Sequence, residues 1–346
     1  MQIKIAERLH PFSHQSGTFC PIPLTTWEVQ VFPARLYFRD LQTYKELDLK
    51  LSFKGPVKNF TVQLDLEQGF VRVFGESNEG YIEYVIDKSA IHFKKLPVAG
   101  ILCGETTVHK GASFPLPIEA ISTADSKERL SLGMHRSQDW ELVKRRSDLK
   151  EIFPVWLRLA ALIPNEKIKE IPDVGTLTLL HACKKAVEQN EKNQLCGLFN
   201  KVFEASFQGI LSPRLSDELF LGLVAETEIP SHLSPLIILH EGAKLIRSLF
   251  FREEMEMVSF LPHLPPEFHS GRFVIGDEIA IEWSKKLLKK VIWKSKRDRQ
   301  IILNLQRPIQ SFRLRHFLKD RGIKIAKDQP FFLKAGQLTY LDRFEK

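Results

Sequence analysis

The sequence predicts a multidomain α+β protein in which a helical region lies between two β-rich regions. Alternating apolar and polar residues dominate the first third of the chain. Apolar residues at helical spacing dominate the middle, and alternation returns near the end. Alternation has the period of a strand, whereas spacings of three and four have the period of a helix, so the order is β, then α, then β. At 346 residues the chain is long enough for two or three domains with a sizeable core.

Residues 1–121 are predicted to form an antiparallel β-sandwich. The segments WEVQVFPARLYF from Trp27, ELDLKLSF from Glu46 and NFTVQLDL from Asn59 alternate in polarity, and glycine and proline turn signals divide them. Strands of this length, with no helical window between them, are typical of a sandwich.

Residues 122–258 are predicted to be helical, with about six helices. LCGLFNKVFEASF from Leu195 places apolar residues at i, i+3, i+4, i+7 and i+8, which is one face of a helix. LTLLHACKKAV and LHEGAKLIRSLFF repeat this pattern. The stretch from Ser212-Pro213 to Glu218 is also predicted to begin a helix.

Residues 259–346 are predicted to form a small β-sandwich-like domain. Pro262, Pro265 and Pro266 prevent a helix from continuing, because proline lacks the amide donor and clashes with the preceding turn. After these prolines, RFVIGDEIAIEW and KKVIWKS alternate in polarity as strands do.

Composition favours a cytoplasmic protein without a metal or cofactor. The four cysteines are scattered and form no CxxC pair, so neither a zinc site nor a disulfide framework is indicated. No apolar run follows the first charges, and no stretch approaches about eighteen apolar residues, so we expect neither a secretory signal nor a membrane segment. Phosphate-loop, dinucleotide-binding, zinc-protease and serine-hydrolase motifs do not occur in the sequence.

The junction between the helical region and the last region resembles part of a known enzyme family. Helix-like GAKLIRSLFF from Gly242 is followed by FLPHLPPEF from Phe260 and by IAIEW from Ile279. Over about residues 239–295 the chain is similar to the end of the inverting α-L-fucosidases of glycoside hydrolase family 95. The matching linker and strand residues are Phe260, Leu261, Pro262, Leu264, Pro265, Pro266, Ile279, Ile281, Glu282, Trp283, Leu288, Val291, Ile292 and Ser295.

This resemblance implies both an architecture and a substrate class. The family has an N-terminal β-sandwich, a catalytic α/α barrel and a small C-terminal β-sandwich, which is the order predicted here. The helical region has room for only part of that barrel, so the expected helical domain is partial and α/α-barrel-like. The implied function is carbohydrate-related, either glycan binding or a weak, degenerate glycoside hydrolysis.

The family's catalytic residues are not matched in this chain. Its catalytic aspartate lies just before the glycines of the last barrel helix, where this chain has Ile237, Ile238 and Leu239. The Asn-x-Asn pair of the family is also missing from the helical region. The chain is therefore either a non-catalytic relative or an enzyme that uses other carboxylates.

Two polar segments contain the candidate site residues. Inverting hydrolysis needs a protonated acid and a carboxylate that activates water, about 6.5–9.5 Å apart. The candidate catalytic carboxylates are Asp139, Glu151 and Glu241. Planar polar groups and an aromatic face suit sugar binding, and the candidates are His135, Arg136, Gln138, Trp140 and His240. The alternative is structural, because Asp139 is a suitable helix cap and Trp140 a suitable core residue.

A basic segment offers a different function. Between Lys285 and Arg299 there are eight basic residues and one acidic residue, a net charge of +7. Such a patch could bind an acidic protein partner, an anionic glycan or nucleic acid, although one aromatic residue and no nucleic-acid motif disfavour the last. A solvated hairpin with protective edge-strand lysines is the structural alternative. The patch consists of Lys285, Lys286, Lys289, Lys290, Lys294, Lys296, Arg297 and Arg299.

Overall fold

The fold is β-rich and contains several antiparallel sheets. The computed structural model describes residues 3–118, 128–133, 138–164, 170–217, 221–225 and 227–346. Among the described residues, 39% lie in strands and 20% in helices. The structure confirms the predicted combination of antiparallel sheets with a few helices.

The N-terminal strands follow the alternating segments closely. In β7, for example, buried and partly exposed residues alternate from Val71 to Gly75. The strands are β1 (Phe12–Ser13), β2 (Thr18–Pro21), β3 (Trp27–Phe32), β4 (Arg35–Asp40), β5 (Glu46–Lys50), β6 (Lys58–Asp65), β7 (Phe70–Ser77), β8 (Gly80–Ile86), β9 (Ala90–Lys95), β10 (Gly100–Cys103), β11 (Thr106–His109) and β12 (Ser113–Pro115).

These strands form two main antiparallel sheets. One sheet has the order β1-β6-β7-β8-β9-β12 and the other the order β2-β3-β4-β5, while β10 and β11 form a separate hairpin. In both sheets the inward apolar residues are almost fully buried, for example Val29, Phe38, Val62 and Val71. The polar residues between them are left on the outer faces.

Five helices lie within the described part of the chain, all between Trp140 and Phe250. They are α1 (Trp140–Arg146), α2 (Leu149–Leu162), α3 (Leu177–Glu188), α4 (Lys192–Ser206) and α5 (Leu236–Phe250). None of these described helices has the length and apolar character needed to span a membrane.

No helix begins at Ser212-Pro213, and Glu218, where the predicted stretch ends, lies outside the described residues. Phe207–Gln208 (β14) and Ser212–Pro213 (β15) instead pair as a short antiparallel hairpin. Ser212 is fully buried and its hydroxyl donates to the buried carboxylate of Glu28. This long-range hydrogen bond stabilises the extended backbone at a position where local sequence alone favours a helix.

The last helix packs tightly on α2 through a glycine. A Cβ at Gly242 would lie 2.1 Å from Cζ2 of Trp156, so only glycine admits the indole at this distance. The Trp156 Nε1 donates to the carbonyl of Leu239 at 3.0 Å. Trp156 therefore fixes α2 and α5 relative to each other.

The C-terminal sheets also include strands that begin before residue 259, namely β13 (Arg129–Ser131), β16 (Phe251–Glu254) and β17 (Met257–Phe260). The other strands of this part are β18 (Gly271–Ile275), β19 (Ile279–Ser284), β20 (Leu287–Lys294), β21 (Arg299–Asn304), β22 (Ser311–Arg315), β23 (Ile323–Ala326), β24 (Phe331–Leu333) and β25 (Leu338–Glu345). One sheet has the order β13-β18-β19-β20-β25-β22-β23 and the other the order β16-β17-β21-β24. All their described pairings are antiparallel except β17 with β21.

The proline-rich segment of residues 260–268, which we call the joint, is well packed. Phe250, at the end of α5, lies 6.0 Å from the ring of Phe268 and 5.4 Å from Trp283. The Trp283 Nε1 donates to the carbonyl of Phe268 at 3.1 Å. Leu261 is buried with a φ of 56°, a left-handed conformation that costs a non-glycine residue about 1–2 kcal/mol. The surrounding aromatic core holds the chain in this turn.

Candidate functional site

The N-terminal segment Glu7–His10 lies between the six-stranded sheet and the helices. Leu9 accepts from the amide of Leu66 at 3.1 Å, which fixes the segment beside the end of β6. The side chain of Gln138 holds it from the other side. The Gln138 Nε2 donates to the carbonyl of Arg8 at 2.8 Å, and the amide of His10 donates to Gln138 Oε1 at 2.6 Å.

A concave surface lies on each side of this segment. A cavity of about 240 Å³ opens toward α1 and α2, where Gln138, Trp140 and Glu151 contribute to its wall. A groove of about 860 Å³ covers the outer face of β6–β9, lined among others by Gln63, Phe70, Arg72, Glu83 and His92. Arg8 borders both, so the two are adjacent. We call the cavity and the groove together the N-terminal groove.

Most charged side chains that line the open groove are paired; among the described residues Arg8 and Lys94, which also line it, have no ion-pair partner. Glu83 on β8 contacts the guanidinium of Arg72 on β7 at 2.7 Å and the Nζ of Lys95 on β9 at 3.1 Å. At its edges His10 lies 3.3 Å from Asp65, and His92 lies 2.9 Å from Asp87.

The pairing controls the protonation of the groove carboxylates. Burial alone would raise the pKa of Glu83, but hydrogen bonds from Lys95 and Arg72 outweigh burial and lower it. Burial also acts to raise the pKa of Asp87, and hydrogen bonds from Ser89 and His92 lower it below the ordinary value. Both groups are therefore anionic hydrogen-bond acceptors near neutral pH.

The groove also has an apolar element. Phe70 is half-buried at the start of β7 and lines the groove. The guanidinium of Arg72 lies 5.1 Å from the ring centroid of the neighbouring Phe74, a distance that allows a cation–π interaction and restrains the arginine. An aromatic edge, planar amides and fixed carboxylates are thus present on one open surface.

The three carboxylates predicted as catalytic each have a structural partner. Asp139 caps α1 by accepting from the amides of Glu141 and Leu142. Glu151 accepts two hydrogen bonds from Arg146, at 2.7 and 2.9 Å, and lines the small cavity. Glu241 contacts the Nζ of Lys244 one turn later on α5, at 2.5 Å.

The predicted sugar-binding residues are separated. Gln138 and Trp140 line the N-terminal groove, but Trp140 is 1% exposed and packs edge-on against Phe203. His240 is buried on α5, where its Nε2 contacts the carbonyl of Pro164 at 2.9 Å, and burial lowers its pKa. His135 and Arg136 lie outside the described residues.

The basic patch lies on the β19–β20 hairpin and the strand after it. Lys285 and Lys286 form the turn, both with positive φ, and Lys289, Lys290 and Lys294 follow along β20.

Part of the charge of this patch is neutralised. Lys296 pairs with Glu278, and Arg297 and Arg299 approach Glu253. The edge-strand alternative is wrong, because β20 pairs with β19 on one side and β25 on the other.

Sequence reasoning missed most of the N-terminal groove. Gln63, Arg72 and Glu83 were indistinguishable from the solvated face of an antiparallel sheet, because each is simply the polar member of an alternating pair. A usable signal was opposite charge on successive strands, because Lys95 faces Glu83 and Arg72 lies diagonal to it. Within the described part of the chain no group of three or more His, Cys, Asp or Glu is placed to hold a metal.

The chain was compared with protein-family models and with curated proteins. No protein-family model matches the chain. A search of curated proteins also gives no match.

Proposed function

We propose that this protein binds carbohydrate in the N-terminal groove without hydrolysing it. The observation that carries the proposal is the outer face of β6–β9, where Phe70 lies beside Gln63, Arg72 and Glu83 in one open groove. Sugar rings present an apolar C–H face and a rim of hydroxyls, and these match an aromatic edge and planar polar groups respectively.

Charge balance favours an uncharged ligand in this groove. Glu83 pairs with both Arg72 and Lys95 and offsets one of their two positive charges, and Asp87 offsets the charge of His92 when the imidazole is protonated. Hydroxyl groups can donate to the free lone pairs of such carboxylates and accept from the guanidinium without introducing a charge. A polyanion would have to compete with these carboxylates.

Binding without hydrolysis is supported by the protonation of the carboxyl groups. A glycosidase needs one carboxylic acid whose pKa is raised so that it can protonate the leaving oxygen. Each described carboxyl with a clearly shifted pKa is shifted downward, as for Glu83, Asp87 and Asp342. Asp139, Glu151 and Glu241 are occupied as a cap or by a basic partner.

The proposal also includes the resemblance between the architecture of this chain and that of the α/α-barrel glycosidases. A reduced relative of the α/α-barrel glycosidases, with flanking β-sandwiches, would explain the β, α, β order. It would also explain the glycine of the last helix, which packs against Trp156. The five described helices would then be the remainder of the barrel.

The alternative function, an acidic partner or nucleic acid on the basic patch, has less support. Glu253 and Glu278 contact three of its eight basic side chains and offset two of the eight charges, which weakens the field that such a partner would need. Binding to single-stranded DNA that fell steeply between low and moderate salt would favour this alternative.

The test is a glycan array of neutral oligosaccharides, including fucosylated ones, followed by titration of the strongest binder. Phe70→Leu keeps an apolar side chain but removes the ring, and should weaken affinity about tenfold, since an aromatic contact contributes up to about 1.5 kcal/mol. Phe332→Leu is the matched control, because Phe332 is 57% exposed on β24, outside the groove. No array signal, or equal affinities for the two variants, would refute binding in this groove.

A further inference from the structure

A second concave site lies at the joint between α5 and the C-terminal sheets. It is a pocket of about 710 Å³ whose wall includes Phe260, Leu261 and Pro262 of the joint. Phe260 and Leu261 are both 1% exposed, so this wall belongs to the core. We call this site the joint pocket, and it shares no lining residue with the N-terminal groove.

The joint pocket is lined by an excess of basic side chains from separate elements. Lys192 comes from the first turn of α4, Arg252 from β16, His263 from the joint and Arg307 from the loop after β21. Glu254 is the one acidic residue among the described lining residues, and it contacts Arg252 at 2.5 Å. In the described part of the chain, neither Lys192 nor Arg307 has an ion-pair partner.

These basic groups act on one another across the pocket. Burial and then the charge of Arg307 lower the pKa of Lys192. Burial and then the charges of Lys192 and Arg252 lower the pKa of His263. Like charges that line one pocket repel, and an anion between them would relieve the repulsion. Amide groups of Asn190 and Asn304 also line the pocket and can supply hydrogen bonds.

We propose that the joint pocket binds a small molecule through a phosphate group, held between Lys192, Arg252 and Arg307. A phosphate ester carries close to two negative charges near neutral pH and three acceptor oxygens, which suits several converging cations. Guanidinium groups bind phosphate through two parallel hydrogen bonds, and lysine adds a point charge. The volume is within the usual range for a ligand of the size of a sugar phosphate.

Calorimetric titration of the full chain tests this proposal with four probes: glucose 6-phosphate, inorganic phosphate, glucose and glucuronate. Both phosphates should bind, and glucose should not bind in this pocket. Lys192→Gln and Arg307→Gln should each weaken phosphate binding about tenfold, the usual size of a lost hydrogen bond to a charged group. If glucose 6-phosphate binds more tightly than phosphate, the sugar contributes; equal affinities assign binding to the phosphate alone.

Two matched variants remove the same charges elsewhere. Lys289→Gln and Arg321→Gln change exposed residues outside the pocket and should leave phosphate binding unchanged. The proposal is overturned if the unmodified protein binds neither phosphate, if the controls lose as much affinity as the pocket variants, or if glucuronate binds as tightly as glucose 6-phosphate. Phe70→Leu should not alter phosphate binding, so this test is independent of carbohydrate binding in the N-terminal groove.

Discussion

The N-terminal groove and the joint pocket use charged residues in opposite ways. In the groove, Glu83 lies between Arg72 and Lys95, so most charges have a partner of opposite sign on the next strand. In the joint pocket, one exposed carboxylate faces several cations. Paired charges offer fixed hydrogen bonds with little net field, whereas unpaired cations attract anions. We therefore assign an uncharged ligand to the groove and a phosphate to the pocket.

The largest expected effect concerns the helical layer that connects the two sites. Glu151 on α2 lines the groove, and α5 continues into β16 at the pocket. Gly242→Ala would place a Cβ 2.1 Å from Cζ2 of Trp156. Overpacking of this kind should lower the free energy of unfolding by about 1–3 kcal/mol, measured by urea denaturation.

The control for this change is Gly197→Ala. Gly197 lies on α4 with nothing within 4 Å of an added Cβ. Alanine there should raise the free energy of unfolding by about 0.5–1 kcal/mol, because alanine favours a helix over glycine. If both alanine variants were equally stable, α2 and α5 would not form a rigid connection between the sites.

A smaller effect distinguishes the mostly buried ion pairs of Glu83 in the groove from the exposed ion pair of Glu254 in the joint pocket. The Glu83 side chain is 11% exposed, so Glu83→Gln should cost about 1–2 kcal/mol in the free energy of unfolding, because Arg72 and Lys95 lose a shared partner. The Arg252 and Glu254 side chains are 46% and 58% exposed, so Glu254→Gln should change stability by less than about 0.5 kcal/mol. A larger loss of stability in Glu254→Gln than in Glu83→Gln would contradict this distinction between the two sites.

The smallest expected effect is a difference in pH dependence. The pKa of Glu83 is lowered in the folded protein, so its contribution to stability is complete above its ordinary value, about 4.3, and is lost as the pH falls through the folded value. The pKa of His263 is also lowered, by burial and by Lys192 and Arg252. The unfolded chain therefore takes up this proton first, and stability falls as the pH drops below about 6.5.

His263→Gln isolates the contribution of the joint pocket. Urea denaturation at several pH values between 7.5 and 5 should show a shallower loss of stability in this variant than in the unmodified protein. Some loss should remain, because burial also lowers the pKa of His240. Identical slopes for the variant and the unmodified protein would show that His263 does not carry the predicted charge repulsion.

Local pattern predicted much of the fold, because strands and helices with one buried face leave a period in the sequence. The segments from Trp27, Asn59, Leu195 and Leu239 contain β3 and most of β6, α4 and α5. Pairing between distant strands leaves no such period. The antiparallel contact of β13 with β18 joins Leu130 to Phe273, and neither segment indicates the other.

The candidate sites were harder to predict for the same reason. The polar segment around Gln138 does reach a cavity wall, but the side chain of Gln138 bonds to the backbone of Arg8 and His10. The joint pocket collects Lys192, Arg252 and Arg307 from three elements far apart in sequence. Only the folded chain brings these charges together, whereas the basic patch could be recognised from the sequence because its eight residues lie within one stretch, residues 285–299.

The most direct test of carbohydrate binding is hydrogen–deuterium exchange, with and without the neutral oligosaccharide that gives the strongest array signal. Peptides that cover Gln63–Arg72 and Glu83–Lys95 should exchange more slowly in its presence, because the ligand would cover the outer face of β6–β9. Peptides around Lys192 and His263 should be unaffected. Protection confined to the joint pocket or to residues 285–299, with none on β6–β9, would contradict our assignment.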